Sequence, residues 1–292
     1  MRNIYFTGYF LTIIALYFEP LKELAGLSLD SQLYSHFLLI PLVSLFILYK
    51  NRKSIFAEIG YSFRIGLPIA AVGLLLFWVG KNSAPNLNQN DHLSLMMFSF
   101  FSFIVGGFII FYGNTAFQKA LFPLLFLIFI VPVPTFIIEP LIHALQVGST
   151  ETSYAVFTIL GIPVFRHDFI FELSGITVEV AKQCSGINST VALLITSVLA
   201  GYLFLDTGWR KVVLVLAIFP ITIFKNSLRI VTISLLASYV DPIFIENHWI
   251  HSAGGKPFFI LALLVMLPVL WLLRRSEKKK NDSPPALLDP PA

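Results

Sequence analysis

The run 221-ITIFKNSLRIVTISLLASYV-240 decides how the rest of the chain is read. Coiled as a helix it is about 30 Å long, the thickness of a bilayer's hydrocarbon core. Its only charges are Lys225 and Arg229. An ionisable side chain within a span is costly and marks function by default. The run therefore places the chain in a membrane and points to a site inside it.

Composition agrees with that placement. The chain has 292 residues, of which 57% are hydrophobic and 12% charged, and its mean hydropathy is +0.81. A soluble domain carries about 25% charge. The net charge of +4 does not indicate nucleic acid, because the basic residues sit at helix ends, where topology signals belong. The apolar stretch after Met1-Arg2-Asn3 lacks a small-residue cleavage site and reads as a first membrane helix rather than a signal peptide.

The hydrophobic pattern predicts an all-α polytopic protein with about eight spans, near 4–19, 33–49, 64–80, 93–112, 119–138, 185–205, 211–239 and 256–273. They form a single integral membrane domain over 1–273, with a catalytic part from about 117. Residues 140–160 are interrupted by the polar run Gly148 to Ser153, which suits one or two interfacial helices better than a span. A re-entrant segment stays open there. In 164-VFRHDFIFELSGITVEVAKQ-183, Phe169, Phe171 and Leu173 alternate with other residues, then Ile176, Val178 and Val180 do the same. Ser174-Gly175 lies between the two runs. Period-two alternation around a glycine turn predicts a small β-hairpin over about 161–183, before the sixth span. Open sheet edges are not tolerated in lipid, so the hairpin belongs outside the bilayer core. Residues 274–292 are charged, then proline-rich, and read as a disordered cytoplasmic tail.

Charge sets the orientation. With a cytoplasmic N-terminus, the inner side receives thirteen of the 20 Lys and Arg: Arg2, Lys50, Arg52, Lys53, Arg64, Lys119, Arg210, Lys211, Arg274, Arg275, Lys278, Lys279 and Lys280. The outer side receives five: Lys22, Lys81, Arg166, Lys182 and Lys256. The positive-inside rule thus predicts both termini in the cytoplasm.

That orientation brings three reactive residue types to the outer face. Cys184, in 179-EVAKQCSGINSTVALL-194, is the single cysteine, so an internal disulfide is excluded. A lone buried cysteine is ordinarily an inert small hydrophobe. At a helix start, near a cation, its thiolate becomes a nucleophile. Gly186 suits close approach of a substrate backbone, and Ser185 with Asn188-Ser189-Thr190 supplies donors. Arg229 lies about 15 Å below the outer end of its helix, with Asn226 one turn earlier on the same face. An always-charged Arg holds a thiolate or an oxyanion but is no base. Lys225 is about 40° off that face and calls for an acidic partner that the sequence does not name. His248 and His251, in 240-VDPIFIENHWIHSAGGK-256, offer the acid/base that a thiol nucleophile uses. Either fits, and a solvated loop histidine is the plain alternative. Glu179 ends the predicted hairpin strand as a supporting residue. Glu246, His248 and His251 supply too few soft ligands for a metal, so no metal or cofactor is expected. Cys, His and Arg together suggest acyl transfer through a thioester.

These residues resemble a known family. EVAKQCSGINS, then Asn226-Ser-Leu-Arg229-Ile, then His251-Ser-Ala-Gly-Gly255 before the last span, resemble the exosortase/archaeosortase family over about 160–275. The stretch FPLLFLIFIVPVP (122–134) resembles its preceding helix. The resemblance implies a membrane cysteine peptidase or transpeptidase with Cys184, Arg229 and His251 as its Cys, Arg and His, and His248 as rival for the last. It implies substrate proteins with a C-terminal motif, a transmembrane segment and a basic tail, a site near the extracytoplasmic face of the cell (inner) membrane, lipid as surroundings and no nucleic-acid partner. Three other readings compete. A transporter could use Lys225, Arg229, Pro132 and Pro134 along an anion path, but no inverted repeat is visible. A CAAX-type protease would need HExxH or GxSG, and neither is present. A non-enzymatic component of polysaccharide or protein export is the third.

Overall fold

The computed structural model describes residues 1–31, 33–83, 86–182, 185–241, 243–246 and 255–281. Cys184, His248 and His251 lie outside the described residues. The chain divides into two compact units, Met1–Glu139 and Pro140–Ala292.

The first unit holds α1 (Arg2–Leu16), α2 (Phe18–Asp30), α3 (Leu39–Lys50), α4 (Arg52–Ile55), α5 (Phe63–Ser83), α6 (Gln89–Lys119), α7 (Leu121–Phe126) and a 3₁₀ turn, Leu127–Ile130. α5 and α6 meet through small residues. Gly66, Gly73 and Gly80 recur every seventh position on the buried face of α5. A Cβ on Gly66 would stand 2.8 Å from the Gly106 carbonyl oxygen, and one on Gly106 would stand 2.8 Å from the Ala70 nitrogen. Glycine at these positions lets the backbones touch, the usual way for membrane helices to pack without a hydrophobic drive. Aromatic rings complete the unit: Phe6, Phe108 and Tyr112 meet edge-on or tilted. An apolar cavity of about 760 Å³ is lined by Phe10, Phe37, Leu45, Phe56, Phe100 and Leu124 among others.

The expected span at 119–138 is not one helix. Helical structure ends at Ile130 and resumes at Thr135 as α8 (Thr135–Ile159). Pro132 and Pro134 have no N–H to donate, and the break is held from outside. Asn90 Nδ2 donates to the Val133 carbonyl at 2.8 Å, and the Thr135 amide donates to Asp91 Oδ1 at 2.6 Å.

α8 then continues without interruption for 25 residues, through the polar run expected to break it. The reason is which way that run faces. Gln146, Ser149, Thr150 and Ser153 are buried, whereas Val147, Tyr154 and Ile159 are exposed. The buried polar residues recur at helical spacing, so they form an inward stripe, and Val147, Tyr154 and Ile159 lie outside it.

The rest of the second unit is β1 (Phe165–His167), β2 (Ile170–Leu173), β3 (Ile176–Glu179), α9 (Ile187–Phe204), α10 (Gly208–Leu216), α11 (Ile218–Tyr239), α12 (Ile243–Glu246) and α13 (Gly255–Asn281). The strands form an antiparallel meander, β1-β2-β3. The hairpin expected around Ser174-Gly175 is β2–β3, with Leu173 paired to Ile176 and Gly175 at φ 85°. β1 adds a third strand to it. The alternating residues face one way as their period requires: Phe171, Leu173 and Val180 pack with Phe157 of α8 and Ile230 and Val231 of α11.

At the other end of the unit, Leu193, Leu214, Ile218, Ala262, Met266 and Leu270 join α9, α10, α11 and α13 in one apolar core. α13 continues eight residues past the expected end of the last span, through Asn281. Its Glu277 is buried and accepts from the Asp206 and Thr207 amides at 3.0 and 2.7 Å and from Arg210 Nη1 at 3.1 Å. The carboxylate thus caps the N-terminus of α10 from another helix, which holds the basic segment in register.

Among the described residues, five helices are long and apolar enough to cross a membrane: α5, α6, α9, the continuous α10–α11 and α13. Counting the bent pairs α1–α2 and Leu121–Ile130 with α8 as single spans raises this to seven. α3 is apolar but has only 12 residues.

Candidate active site

The site is built where α8, the end of β3, the start of α9 and the middle of α11 converge within the second unit. The segment entering it is fixed before it arrives. Gln146 Nε2 of α8 donates to the Val180 carbonyl at 2.6 Å, one residue past β3. The Val180 amide donates to the Phe169 carbonyl at 2.8 Å. The Ser185 amide donates back to the Lys182 carbonyl at 3.1 Å.

Gly186 caps α9 at φ 84° and ψ 13°. That left-handed conformation costs an L-residue roughly 1–2 kcal/mol. A side chain would also meet Asn226: a Cβ would lie 3.3 Å from its Cγ and 3.4 Å from its Oδ1. The sequence suggested that Gly186 admits a substrate backbone. In the structure the glycine is already required by the turn and by Asn226. The Gly186 carbonyl accepts from the Thr190 amide at 3.0 Å, Ser189 Oγ at 2.8 Å and Thr190 Oγ1 at 3.0 Å. Two of the three donors expected in Asn188-Ser189-Thr190 thus serve the turn itself, and Asn188 is exposed.

α11 supplies the opposite wall. Asn226 is fully buried and donates from Nδ2 to Ser149 Oγ of α8 at 3.1 Å. The neighbouring Ser227 meets Ser153 Oγ at 3.2 Å. Arg229 is half-buried one turn on. Lys225 is 4% exposed and donates from Nζ to Ser189 Oγ at 2.6 Å. The acidic partner that its charge called for is replaced, among the described residues, by a hydroxyl. Ser185 is fully buried, and its Oγ has no hydrogen-bond partner among the described residues. Glu179 stands on the exposed face of β3, opposite Val178 and Val180.

The structure thus brings Gly186 close to Asn226, on the helix that carries Arg229. It sets Glu179 outward. Gln146, Ser149 and Ser153 complete the site and were not singled out from the sequence. Their signal was present: polar residues at 146, 149, 150 and 153 recur at helical spacing. Among the described residues, no group of three His, Cys, Asp or Glu is placed to hold a metal ion.

The second unit thus has a buried polar centre where the start of α9 meets the Asn-x-x-Arg helix α11. Searches of curated proteins and of solved structures each returned no match. Residues 28–268 match the family model of the transmembrane exosortase (Exosortase_EpsH). That match covers most of the chain, which belongs to the transmembrane exosortase family.

Proposed function

We propose that this exosortase is an integral membrane cysteine peptidase and transpeptidase that cleaves C-terminal sorting signals of exported proteins. The observation that carries the reading is the close approach of Asn226 to Gly186, where a Cβ would lie 3.3 Å from the Asn226 Cγ, so that the start of α9 lies beside the arginine helix. The Cys184 thiolate attacks the carbonyl carbon of the scissile peptide. Arg229 donates to the oxyanion of the tetrahedral intermediate. His251, with His248 as its rival, protonates the leaving amine as the C–N bond breaks. The acyl group is left on sulfur as a thioester. Water or an amine then attacks the thioester and releases the thiol.

We also propose eight crossings: the five long helices, the two bent pairs and α3. α2 then lies at the outer interface as the bent end of the first crossing. This count keeps both termini cytoplasmic and puts the β-meander and the site at the extracytoplasmic side of the cell membrane. A substrate delivered as a membrane helix reaches a site at that depth.

The test is cleavage of a reporter bearing a C-terminal motif, an apolar span and a basic tail in membranes containing this protein. Cys184→Ala abolishes processing if the reading holds; unchanged processing removes the thioester mechanism. The histidines are separated by His251→Ala and His248→Ala, since loss of the acid leaves uncleaved reporter or an enzyme-linked adduct. Flux of a small anion into vesicles that survives Cys184→Ala would favour a transporter instead.

A further inference from the structure

Lys225 is the residue that the acyl-transfer scheme leaves idle, and its surroundings are unusual for an ammonium. It is 4% exposed in a membrane-spanning helix. It has no carboxylate within ion-pair distance among the described residues, and Arg229 stands close enough to act on it as a like charge. Packing alone does not explain such a group, since methionine would fill the volume without the charge.

Its hydrogen bond has a direction. An ammonium only donates, so Ser189 Oγ accepts from Lys225 Nζ. The single hydroxyl proton of Ser189 is then committed to the Gly186 carbonyl. The chain runs from ammonium to hydroxyl to the peptide group two residues after Cys184. Charge at its head polarises the bonds that follow. The same carbonyl takes the Thr190 amide and hydroxyl, and Asn226 closes the other side of the glycine. Lys225 thus holds, from α11, the turn that opens α9.

We infer that Lys225 is a positioning residue of the acyl-transfer site, acting through Ser189 on the Gly186 carbonyl at the start of α9, two residues after Cys184 in the chain. The inference rests on Cys184 being the nucleophile. Its experiment uses full-length protein reconstituted in vesicles, comparing wild type, Lys225→Met, Ser189→Ala, the double variant and Cys184→Ser. Lys225→Met and Ser189→Ala are expected each to lower kcat on the reporter about tenfold with KM little changed, and the double variant to be no worse than the worse single. A second readout needs no substrate. Cys184 is the single cysteine, so maleimide labelling reports on it alone, and both single variants are expected to label several-fold more slowly. Ser189→Ala removes one oxygen and carries the prediction by itself should Lys225→Met fail to fold. Wild-type kcat and labelling in Ser189→Ala, or losses that add in the double variant, overturn the relay. If Cys184→Ser still cleaves, the nucleophile assignment fails instead, and labelling rates then decide whether Lys225 holds the turn.

Discussion

Two helix pairs in this protein touch at close range, and they do so by opposite means. α5 and α6 of the first unit meet through Gly66, Gly73 and Gly106, whose missing side chains let one backbone rest on the other. The hydroxyls there bond mostly to backbone, as Ser99 does to the Gly73 carbonyl at 2.6 Å. α8 and α11 of the second unit meet through side chains that bond to each other: Asn226 to Ser149 and Ser153 to Ser227. Glycine contacts cost nothing in lipid and fix only a distance. Buried amides, hydroxyls and a lysine are costly unless satisfied, and they fix orientation. The first seam fixes how closely two helices lie, the second how they are turned. Substitutions in the two seams should therefore fail differently.

The largest expected effect on chemistry is at Arg229. Arg229→Lys keeps the charge but loses the planar fork. It should lower kcat by about two to three orders of magnitude, as loss of an oxyanion donor does, with the folded protein retained. Wild-type turnover would remove the oxyanion role. The largest effect on folding belongs to the other seam. A Cβ at Gly66 would stand 2.5 Å from Ile110 Cγ1 and 2.8 Å from two backbone atoms. Gly66→Val should cost about 1–3 kcal/mol or more by overpacking, read as a fall in Tm and yield, while the protein that folds cleaves normally. Equal loss of kcat per folded molecule would mean that the first seam also shapes the site. Gly186→Ala should do both at once. Strain of roughly 1–2 kcal/mol falls on the start of α9, two residues after the proposed nucleophile, so kcat is expected to drop more than Tm predicts.

How much of this was legible follows the same division. Most of the long apolar helices were readable because lipid demands long apolar runs, and the β2–β3 hairpin because its period of two survives around Ser174-Gly175. Arg229 and Asn226 stood out because a polar residue in an apolar run is an expense. The length of α8 was hidden for the same reason. The rule that polar residues end a span took Gly148 to Ser153 as a break, although 146, 149, 150 and 153 share one helical face. Only its spacing separates a buried polar stripe on a helix from a polar loop. The partner of Lys225 was hidden in another way. Charge complementarity predicts an acid, and a hydroxyl 36 residues away leaves no mark in sequence. β1 has three residues and is too short for any period to show.

Gln146 gives a smaller test of the polar seam. Gln146→Leu removes the donor to the Val180 carbonyl and leaves that oxygen without it, at a cost of about 1–3 kcal/mol. If α8 is a wall of the site, kcat falls further than stability does. If α8 only supports the meander, Tm and kcat fall in proportion.

The smallest expected effect lies outside both seams. Arg166 of β1 bonds Glu151 of α8 at 2.7 Å, and the carboxylate side chain is 59% exposed. Exposed ion pairs contribute little, because water screens them and two long side chains must be held still. Arg166 Nε also donates to the Asp168 carbonyl at 3.0 Å, inside the β1–β2 turn. Arg166→Gln should therefore leave Tm and kcat within experimental scatter, whereas Phe171→Ala, on the inner face, should cost about 3–5 kcal/mol. The meander would then be held by the residues that alternate inward and not by the ion pair at its edge. A Tm loss in Arg166→Gln comparable to that of Phe171→Ala would reverse the assignment. The strand the sequence did not show would then hold Val180, and through it the segment that leads to Cys184.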